Sequence, residues 1–366
     1  MKTTIVTTTI NVPILLLQYA RNAQRYGHKD LDFVVIGDRK SPPETGDFCK
    51  SVPHYACVYL DIPAQREYLS RFPELWSHLR FDSVQRRNIG MLLAYENGAD
   101  VVITIDDDNF VMDQDFVGFH GAAGAVRELP TYGSSSGWFN VCSFLEADHG
   151  VEFYHRGYPR KMRWSEEGQA TCSPGARRVA VNAGLWLDNP DIDALTRMER
   201  PLVVGGFNGK WPGSNFALEP GTWSPFDSQN TALMREAVPA YFLSPYTGRY
   251  DDIWGSYIVT RIAQHFGDVV SFGEPVVRQE RNPHDLWRDL DVERNGMILT
   301  DDFCAALRSI PLTGGTYHAC FGEIATALPR AWGEEPEWTG SQKEWRSKLI
   351  EGMAIWRSVF GKLGAR

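Results

Sequence analysis

The first 110 residues alternate short β-branched runs with helical patterns, and this alternation restricts the possible folds more than any other feature of the chain. The runs TTIVTTTI (residues 3–10), LDFVVIGD (31–38) and DVVITI (100–105) have the composition of strands. The segments between them carry helical apolar spacing and end at Gly27 and Gly98. Strands that alternate with helices predict an α/β fold with a mostly parallel central sheet, in which ligands bind at the carboxyl ends of the strands.

The rest of the chain contains fewer regular patterns. From about residue 130 to 250 it is rich in Gly, Pro, Trp and Asn, with short strand-like runs. Residues 248–267 then form a predicted helix whose first turn contains Asp251 and Asp252, where carboxylates also suit the helix dipole. Apolar residues at steps of four, four, three and four predict an amphipathic C-terminal helix: Trp345, Leu349, Met353, Trp356 and Phe360.

Charge and cysteine content exclude several classes of protein. The formal net charge is −9 and the basic residues are scattered, so no surface for nucleic acid is indicated. The six cysteines include no C-x-x-C pair, which argues against a structural zinc site and a disulfide framework. No window approaches the roughly 20 apolar residues that span a bilayer, and the N-terminus lacks a signal-peptide pattern. We expect a cytoplasmic protein without a membrane span. The chain could form a homo-oligomer.

Three adjacent carboxylates, Asp106, Asp107 and Asp108, directly follow an apolar strand in the sequence VVITIDDDNF. Adjacent carboxylates repel one another unless water or a cation neutralises them, and an acidic triplet alone is also typical of a solvated loop. Hard oxygen ligands suit Mg²⁺ or Mn²⁺, which bind to one or two carboxylates and to substrate phosphates. We therefore predict a divalent cation on the D-x-D pair Asp106 and Asp108.

Further polar residues lie at the ends of predicted strands and at the start of a helix, where backbone N–H groups attract anions. We expect contacts to a bound nucleotide sugar from them. They are Thr7 and Thr8 in the first strand, Asp38 and Arg39 after the second, Arg86, Arg87 and Asn88 at the helix start, and Asp106 and Asp107. A loop that caps a turn is an equally good interpretation of Asp38 and Arg39.

The segment NAGLWLDNPDID contains two candidates for a sugar pocket. Trp186 has a ring that stacks on a sugar face, and Asn182 has an amide that binds sugar hydroxyls. A tryptophan in a strand-like run is more often part of the core. Both roles therefore stay open for Trp186.

Five ordered blocks of this sequence resemble the reversibly glycosylated polypeptides, the plant UDP-arabinopyranose mutase family. The blocks are TIDDDNF, FYHRGYPRKMRW, VAVNAGLWLDNPDIDA, GRYDDIWGSYIV and RNPHDLWRDLDVE. The resemblance covers most of the chain and implies a GT-A fold, a Rossmann-like domain that binds nucleotide sugars. In that fold the D-x-D motif holds Mn²⁺ or Mg²⁺ on the diphosphate of a UDP-sugar.

The resemblance also implies roles for residues near the transferred sugar. Asp251 and Asp252 match the second acidic pair of the family, and Arg163 matches the arginine that the family glycosylates reversibly. The family has Glu-Gly after that arginine, whereas this chain has Trp164. His284 would be a metal ligand only after a rearrangement of its loop. We therefore assign catalytic roles to Asp251, Asp252 and Arg163.

With this resemblance, the chain divides into a GT-A domain at 1–320 and a C-terminal helical extension at 321–366. Within the domain, residues 1–130 or so form the predicted nucleotide-binding half. The sugar and acceptor half then extends over about 131–320. A chain of this length buries enough apolar surface for one large domain with an appendage.

Three functions are compatible with these residues. The first is transfer of a sugar from a UDP-sugar to an external acceptor, with Asp251 or Asp252 as general base. The second is a mutase that returns the sugar to UDP after self-glycosylation at Arg163, and the third is an inactive nucleotide-sugar-binding subunit. A protonated guanidinium is a poor nucleophile and Trp164 replaces the usual Glu, so the sequence favours transfer.

Overall fold

The computed structural model describes residues 1–163, 170–282 and 284–365, and it contains twelve strands within these ranges. The first six are β1 (Thr3–Thr9), β2 (Leu31–Gly37), β3 (Ala56–Leu60), β4 (Val101–Ile105), β5 (Asn109–Val111) and β6 (Val126–Ser134). The other six are β7 (Leu145–Ala147), β8 (Ala170–Asp188), β9 (Val204–Phe207), β10 (Phe216–Leu218), β11 (Asn230–Met234) and β12 (Val269–Gln279).

Eleven α-helices connect or cover these strands in the described ranges. The first six are α1 (Leu16–Arg25), α2 (Thr45–Lys50), α3 (Ile62–Tyr68), α4 (Pro73–His78), α5 (Arg87–Glu96) and α6 (Phe116–His120). They are followed by α7 (Ala194–Glu199), α8 (Asp251–Phe266), α9 (Leu286–Ser309), α10 (Tyr317–Ala331) and α11 (Gly340–Lys362). Among the described residues, no helix combines the length and the apolar character that crossing a membrane requires.

The strands form one large sheet in the order β3-β2-β1-β4-β11-β8-β6-β10-β12-β5. The four strands β3, β2, β1 and β4 are parallel, as expected for strands that helices connect. Strand β11 lies antiparallel between β4 and β8 and joins this block to the rest of the sheet. The later strands pair in both directions, because the chain between residues 130 and 250 contains few crossover helices. The predicted α/β fold class is confirmed.

Strands β1, β2 and β4 are buried on both faces, which explains the apolar residues of β2 and β4, whereas the edge strand β3 is partly exposed. Strands β2 and β4 have almost no exposed side chains, and helix α5 packs against them. Gly90 allows this close approach, since a Cβ there would lie 2.4 Å from Val6 Cγ1. The carboxyl ends of β1, β2 and β4 consequently meet at one edge of a rigid sheet.

The C-terminal part of the chain forms a helical layer in which α9 and α10 pack against α8. In α11, the predicted stripe is buried at Leu349, Met353, Trp356 and Phe360, and Trp345 is half-buried. Trp345 also contacts the ring of Trp254 of α8. The helical layer begins with α9, before residue 321, and the boundary at that residue stays a prediction.

Candidate functional site

A cavity of about 260 Å³ opens where β1 and β4 end, next to the start of α8. We call it the acidic cavity, because its wall contains Asp106, Asp107, Asp108, Asp227, Asp251 and Asp252. Four arginines line the same cavity: Arg87, Arg156, Arg249 and Arg281. Charges from distant parts of the chain, between Arg87 and Arg281, thus meet at the edge where an α/β sheet binds its ligands.

The triplet after β4 is held from three directions. Asp106 forms an ion pair with Arg87, whose Nη1 also binds the carbonyl of Ser228 at 3.0 Å. Asp107 Oδ2 accepts a hydrogen bond from Thr9 Oγ1 at 2.8 Å. Asp108 Oδ2 accepts a longer one, 3.3 Å, from the backbone N–H of Asn282. These contacts fix the carboxylates although they repel one another.

Asp108 leaves one oxygen without a partner. Its Oδ1 is buried and accepts no hydrogen bond from any residue that the structure describes. Burial, followed by the neighbouring charge of Asp106, raises the pKa of Asp108 to about 7. A buried acceptor without a partner destabilises the fold by about 1–3 kcal/mol unless a ligand or water satisfies it. The donor set of Asp106 and Asp108 therefore fits a hard divalent cation.

A second, smaller cleft of about 210 Å³ continues from the acidic cavity. The two share Thr8, Val84 and Asp107 in their walls, and the cleft adds Asp38 and Arg86. Asp38 Oδ2 accepts a hydrogen bond from the N–H of Ser83 at 3.0 Å, which fixes the loop before α5. We call this space the strand-end cleft, since it lies between the ends of β1 and β2.

The second acidic pair lies in the first turn of α8, as predicted. Asp252 Oδ2 accepts a hydrogen bond from the N–H of Ser228 at 3.0 Å, and its Oδ1 lies 3.2 Å from Arg156 Nη1. Arg156 also binds both oxygens of Asp191, at 2.9 and 2.8 Å. Burial and the adjacent charge of Asp252 raise the pKa of Asp251 to about 7. Asp251 thus changes its protonation near neutral pH.

Asp227 is a further acid of this cavity, supported by two aromatic rings. Its Oδ2 accepts a hydrogen bond from Trp186 Nε1 at 2.9 Å and lies 3.3 Å from His155 Nε2. His155, Asp191 and Asp227 are close enough for one cation, with ligand atoms within 4.8 Å of one another. Burial lowers the pKa of His155, but Asp227 and Asp191 reverse this effect and raise it. A protonated His155 would supply the positive charge that these two acids need.

Arg163 lies in a different cavity. This second cavity has a volume of about 580 Å³ and is lined by aromatic side chains, among them Tyr154, Tyr158 and Tyr250. Arg163 Nη1 forms an ion pair with Asp193 Oδ2 at 2.6 Å, and its guanidinium lies 5.8 Å from the ring centre of Tyr154. We call this space the Arg163 cavity. Trp164, where the sequence departs from the family pattern, lies outside the described residues.

A thin wall separates the two cavities, which have no described lining residue in common. Adjacent residues of the chain face opposite sides of this wall. Arg156 and Asp251 line the acidic cavity, whereas Gly157 and Tyr250 line the Arg163 cavity. Asp191 and Asp193 divide in the same way.

Comparison with known proteins identifies the family of the chain. A family model described as "Reversibly glycosylated polypeptide" matches residues 68–361. The chain belongs to this family.

Similar proteins include UDP-arabinopyranose mutase 3 of Arabidopsis thaliana, 28% identical over 275 residues, which are 72% of this chain and 68% of the relative. UDP-arabinopyranose mutase 1 of Oryza sativa subsp. japonica is 27% identical over 273 residues, or 72% of this chain and 68% of the relative.

Two solved structures are similar at low identity. One is glucosyl-3-phosphoglycerate synthase of Mycobacterium tuberculosis in complex with Mn²⁺ and UDP-glucose, at a TM-score of 0.42 and 11% identity. The match covers 86% of this chain and 81% of the solved chain. The other is S. aureus TarS in complex with UDP-GlcNAc, at a TM-score of 0.44 and 9% identity, covering 98% and 90%.

Several residues predicted to bind the nucleotide sugar are engaged elsewhere in the structure. Asn88 is buried, and its side chain binds the backbone carbonyl and N–H of Leu243 at 2.7 and 3.1 Å. Asn182 is buried in the sheet and accepts a hydrogen bond from Ser271 Oγ at 2.7 Å. Arg39 is exposed and pairs with Asp82. These side chains have structural contacts in place of the predicted ligand contacts.

Trp186 and Thr7 also lie behind the cavity wall. Trp186 is 1% exposed, so it supports Asp227 and presents no face to a sugar. Thr7 is buried, whereas the next residue, Thr8, lines the acidic cavity, because successive strand residues point to opposite faces. The core alternative for Trp186 is therefore the one that the structure supports.

The sequence interpretation missed several charged residues of this site. Of the three residues expected at the helix start, Arg87 lines the acidic cavity and was not missed. Arg156 and Asp191 lie within the blocks that carry the family resemblance, RGYP and DNPDID, so these blocks were the available signal. Arg249 lies in the block GRYDD, whereas Asp227 had only its neighbours in the chain to indicate it.

Proposed function

We propose that this chain is an enzyme that uses a divalent cation to bind a UDP-sugar and breaks the bond between the sugar and the diphosphate. The observation that supports this function most directly is the buried, unpartnered Oδ1 of Asp108 beside Asp106. In a protein of the reversibly glycosylated polypeptide family, this acceptor is where a cation on the diphosphate would bind.

In this proposal Asp106 and Asp108 hold Mn²⁺ or Mg²⁺. The cation supplies positive charge that stabilises the diphosphate as it leaves the sugar. Arg87 keeps Asp106 in place, and the N–H of Asn282 orients Asp108. The oxygen ligands do not discriminate between the two metals.

The nucleoside of the donor would occupy the strand-end cleft. This cleft adjoins the acidic cavity through Thr8 and Asp107, so a nucleoside in it would extend its phosphates toward Asp108. Asp38 lies in the wall of the cleft. Arg86 lies there too, but its buried guanidinium donates to Gln65 and to the carbonyl of Arg80, so this predicted ligand contact is a structural one. The strand-end cleft, the acidic triplet and the acids of α8 follow one another along the cavity. This order matches that of the nucleoside, the diphosphate and the sugar in a UDP-sugar.

The sugar would lie beside Asp251 and Asp252. Asp251, with a pKa of about 7, is suited to accept a proton from a sugar or acceptor hydroxyl and to return it at neutral pH. Arg156 and Ser228 restrain Asp252, which gives it a fixed direction toward the cavity. Asp227 adds a third carboxylate whose position Trp186 fixes.

The first candidate reaction is that of a UDP-sugar mutase, in which the sugar changes ring form and returns to UDP. The observation in its favour is the kinship of the chain, since the curated relatives named above are UDP-arabinopyranose mutases. Breaking and re-forming one bond to UDP requires a cation site and a group that exchanges protons, and the acidic cavity offers both.

The second candidate is transfer of the sugar to an external acceptor. The location of Arg163 favours it, since this arginine is paired with Asp193 in a separate cavity and not beside Asp251. A sugar released in the acidic cavity would then have to meet another nucleophile. Asp251 is the base that we propose for the acceptor hydroxyl.

We also propose a cytoplasmic location. The five cysteines whose side chains the structure describes, Cys49, Cys57, Cys142, Cys304 and Cys320, are free thiols. Free thiols are typical of proteins in reducing compartments.

The test is an assay of the purified chain with a panel of UDP-sugars that includes UDP-arabinopyranose, with Mn²⁺, with Mg²⁺ and with a chelator. We expect cation-dependent change of at least one UDP-sugar. A ring isomer of the donor would establish the mutase, and UDP release that an acceptor accelerates would establish transfer.

The variant Asp108→Asn should reduce this activity to background, whereas Asp113→Asn should not. Asp113 is a suitable control, because it follows Asp108 closely in the chain and its side chain is fully exposed. An Asp108→Asn variant with full cation-dependent activity would contradict the proposed cation site. The absence of any reaction or UDP binding in the wild type would contradict the function.

A further inference from the structure

Arg281 is a buried guanidinium in the wall of the acidic cavity that lacks a hydrogen-bond acceptor. Its side chain is 10% exposed, and within the described ranges it donates no hydrogen bond. Its nearest acid is Asp289, with Nη2 and Oδ2 3.5 Å apart. Asp289 is itself engaged by His284, whose Nδ1 lies 2.9 Å from the same oxygen. The Nε–H is therefore buried without an acceptor, and the two Nη groups donate no hydrogen bond to a described residue.

Such a group is unfavourable in a folded protein without a ligand. A buried charge is normally paired and hydrogen-bonded, because removal from water costs several kcal/mol per ion. Burial, with a further contribution from Arg249, lowers the pKa of Arg281. The negative charges of Asp191 and Asp289 oppose this shift but do not cancel it.

Arg249 lies on the same side of the cavity. Its Nε binds Glu293 at 2.7 Å, and its Nη2 is 3.9 Å from Asp191, beyond hydrogen-bond distance. His284 completes this side of the wall. The acids here are already engaged, Glu293 by Arg249 and Asp191 by Arg156, so neither neutralises Arg281.

We propose that Arg281 and Arg249 form an oxyanion site that binds a phosphate or carboxylate group of the substrate. Guanidinium groups bind both anions through paired N–H donors. The site shares the wall of the acidic cavity with the cation ligands, and the residue after Arg281 contacts one of them, since Asn282 donates its N–H to Asp108. This inference rests on the proposed function where it names a UDP-sugar as the substrate. The ability of the two arginines to bind an anion does not depend on that function.

Two parts of a UDP-sugar carry such a group. The diphosphate is one, and it would lie between the cation and Arg281. An acidic sugar, such as the uronic acid of UDP-glucuronate, is the other, because Arg281 also faces Asp191 and Arg156 on the sugar side. Binding measurements separate these two sources.

The experiment compares wild type with Arg281→Met by calorimetry in the presence of Mn²⁺, using uridine, UDP, UDP-glucose and UDP-glucuronate. If the diphosphate is the anion, the variant should bind UDP about ten-fold or more weakly and uridine unchanged. If the anion is on the sugar, UDP binding should be unchanged and the preference for UDP-glucuronate over UDP-glucose should be lost.

A stability measurement distinguishes a ligand site from a structural role. Without ligand, Arg281→Met should be at least as stable to heat as wild type, because it removes a buried charge that has no close partner. A structural arginine would instead lower the melting temperature. Arg281→Lys should recover part of the affinity. Arg288→Met is the control, because Arg288 is an exposed residue outside the acidic cavity, and loss of its charge should leave affinity and stability unchanged.

The inference would be overturned if Arg281→Met changed neither UDP affinity nor the uronate preference by more than two-fold. Inorganic pyrophosphate serves as a probe that does not depend on the nucleotide. If wild type bound pyrophosphate but no UDP or UDP-sugar, and Arg281→Met lost pyrophosphate, the oxyanion site would stand while the proposed function failed. If wild type bound UDP and the variant bound it equally, with no change of uronate preference, only the oxyanion site would fail.

Discussion

The acidic cavity and the Arg163 cavity lie on opposite sides of one wall but differ in how their charges are matched. In the Arg163 cavity, the arginine already has a close partner, Asp193 at 2.6 Å. In the acidic cavity, Asp108 Oδ1 and Arg281 Nε are buried without hydrogen-bond partners among the described residues, and the nearest acid to Arg281, Asp289, is 3.5 Å away. Asp193 Oδ2 is also buried without a hydrogen bond, but an arginine lies 2.6 Å from it, whereas no described residue forms an ion pair with Asp108. The charges of the acidic cavity are therefore the ones that indicate a ligand.

The largest effect that we expect comes from Arg156, which holds the wall on the acidic side. Arg156→Met would leave Asp191 and Asp252 buried without their cation, and we expect a loss of about 3–5 kcal/mol in the free energy of unfolding. Urea unfolding followed by far-UV circular dichroism measures this loss. Arg160→Met, an exposed residue of the Arg163 cavity, is the control and should change stability little. Equal losses in both variants would contradict the assignment of Arg156.

A smaller loss is expected on the other side of the wall. Arg163→Met leaves Asp193 without its ion-pair partner, and because Arg163 is partly exposed we expect about 2 kcal/mol at neutral pH. The double variant with Asp193→Asn should recover part of this loss in urea unfolding. UDP affinity should stay within two-fold of wild type. A large drop in UDP affinity would show that the two cavities act as one site, which would contradict this account.

The pH dependence of stability tests the burial of Asp251. Folding raises its pKa from 3.8 to about 7, so the folded chain holds a proton that the unfolded chain releases between these values. Stability from this group is therefore present below about pH 4 and is lost as the pH rises to 7. In metal-free buffer, Asp251→Asn should be more stable relative to wild type at pH 8 than at pH 4, by about 1–3 kcal/mol. A difference independent of pH would show that Asp251 is not buried in this way.

The smallest change concerns the support of Asp227. Trp186→Phe removes the 2.9 Å hydrogen bond to Asp227 but retains an aromatic ring, so we expect a loss of about 1–2 kcal/mol in the free energy of unfolding. His155 and the N–H of Gln229 remain in contact with the carboxylate. If Trp186 instead lined a sugar pocket, stability would change little and substrate affinity would fall.

The sequence predicted the features that depend on position along a strand. The apolar run before Asp106 indicated a buried strand, and the acids that follow a parallel strand must lie at the ligand-binding edge of the sheet. Asp251 and Asp252 could be placed at a helix start, because the apolar spacing that follows them predicts a helix and carboxylates suit its first turn. These predictions need only local patterns.

Features that depend on the phase of an element were harder to predict. Residues Val84–Arg86 form a tight 3₁₀ turn before α5 begins at Arg87, and this turn directs Arg87 and not Asn88 toward the cavity. Strand β8 is covered on both faces, so Asn182 and Trp186 are both buried and neither reaches a ligand.

The location of Arg163 was beyond local patterns altogether. The chain from 151 to 163 has no long helix or strand, and only the packed structure shows that Arg156 and Arg163 face opposite sides of one wall. A motif can identify such residues as a group, but it does not divide them between cavities.

The most direct test of this division is the intact mass of the purified chain after incubation with UDP-sugars, with and without Mn²⁺, followed by peptide mapping. Our account predicts cation-dependent change or release of the donor while the mass of the chain stays constant. A reversible, cation-dependent gain of one sugar on the peptide that contains Arg163 would contradict it, because the Arg163 cavity would then take part in the chemistry.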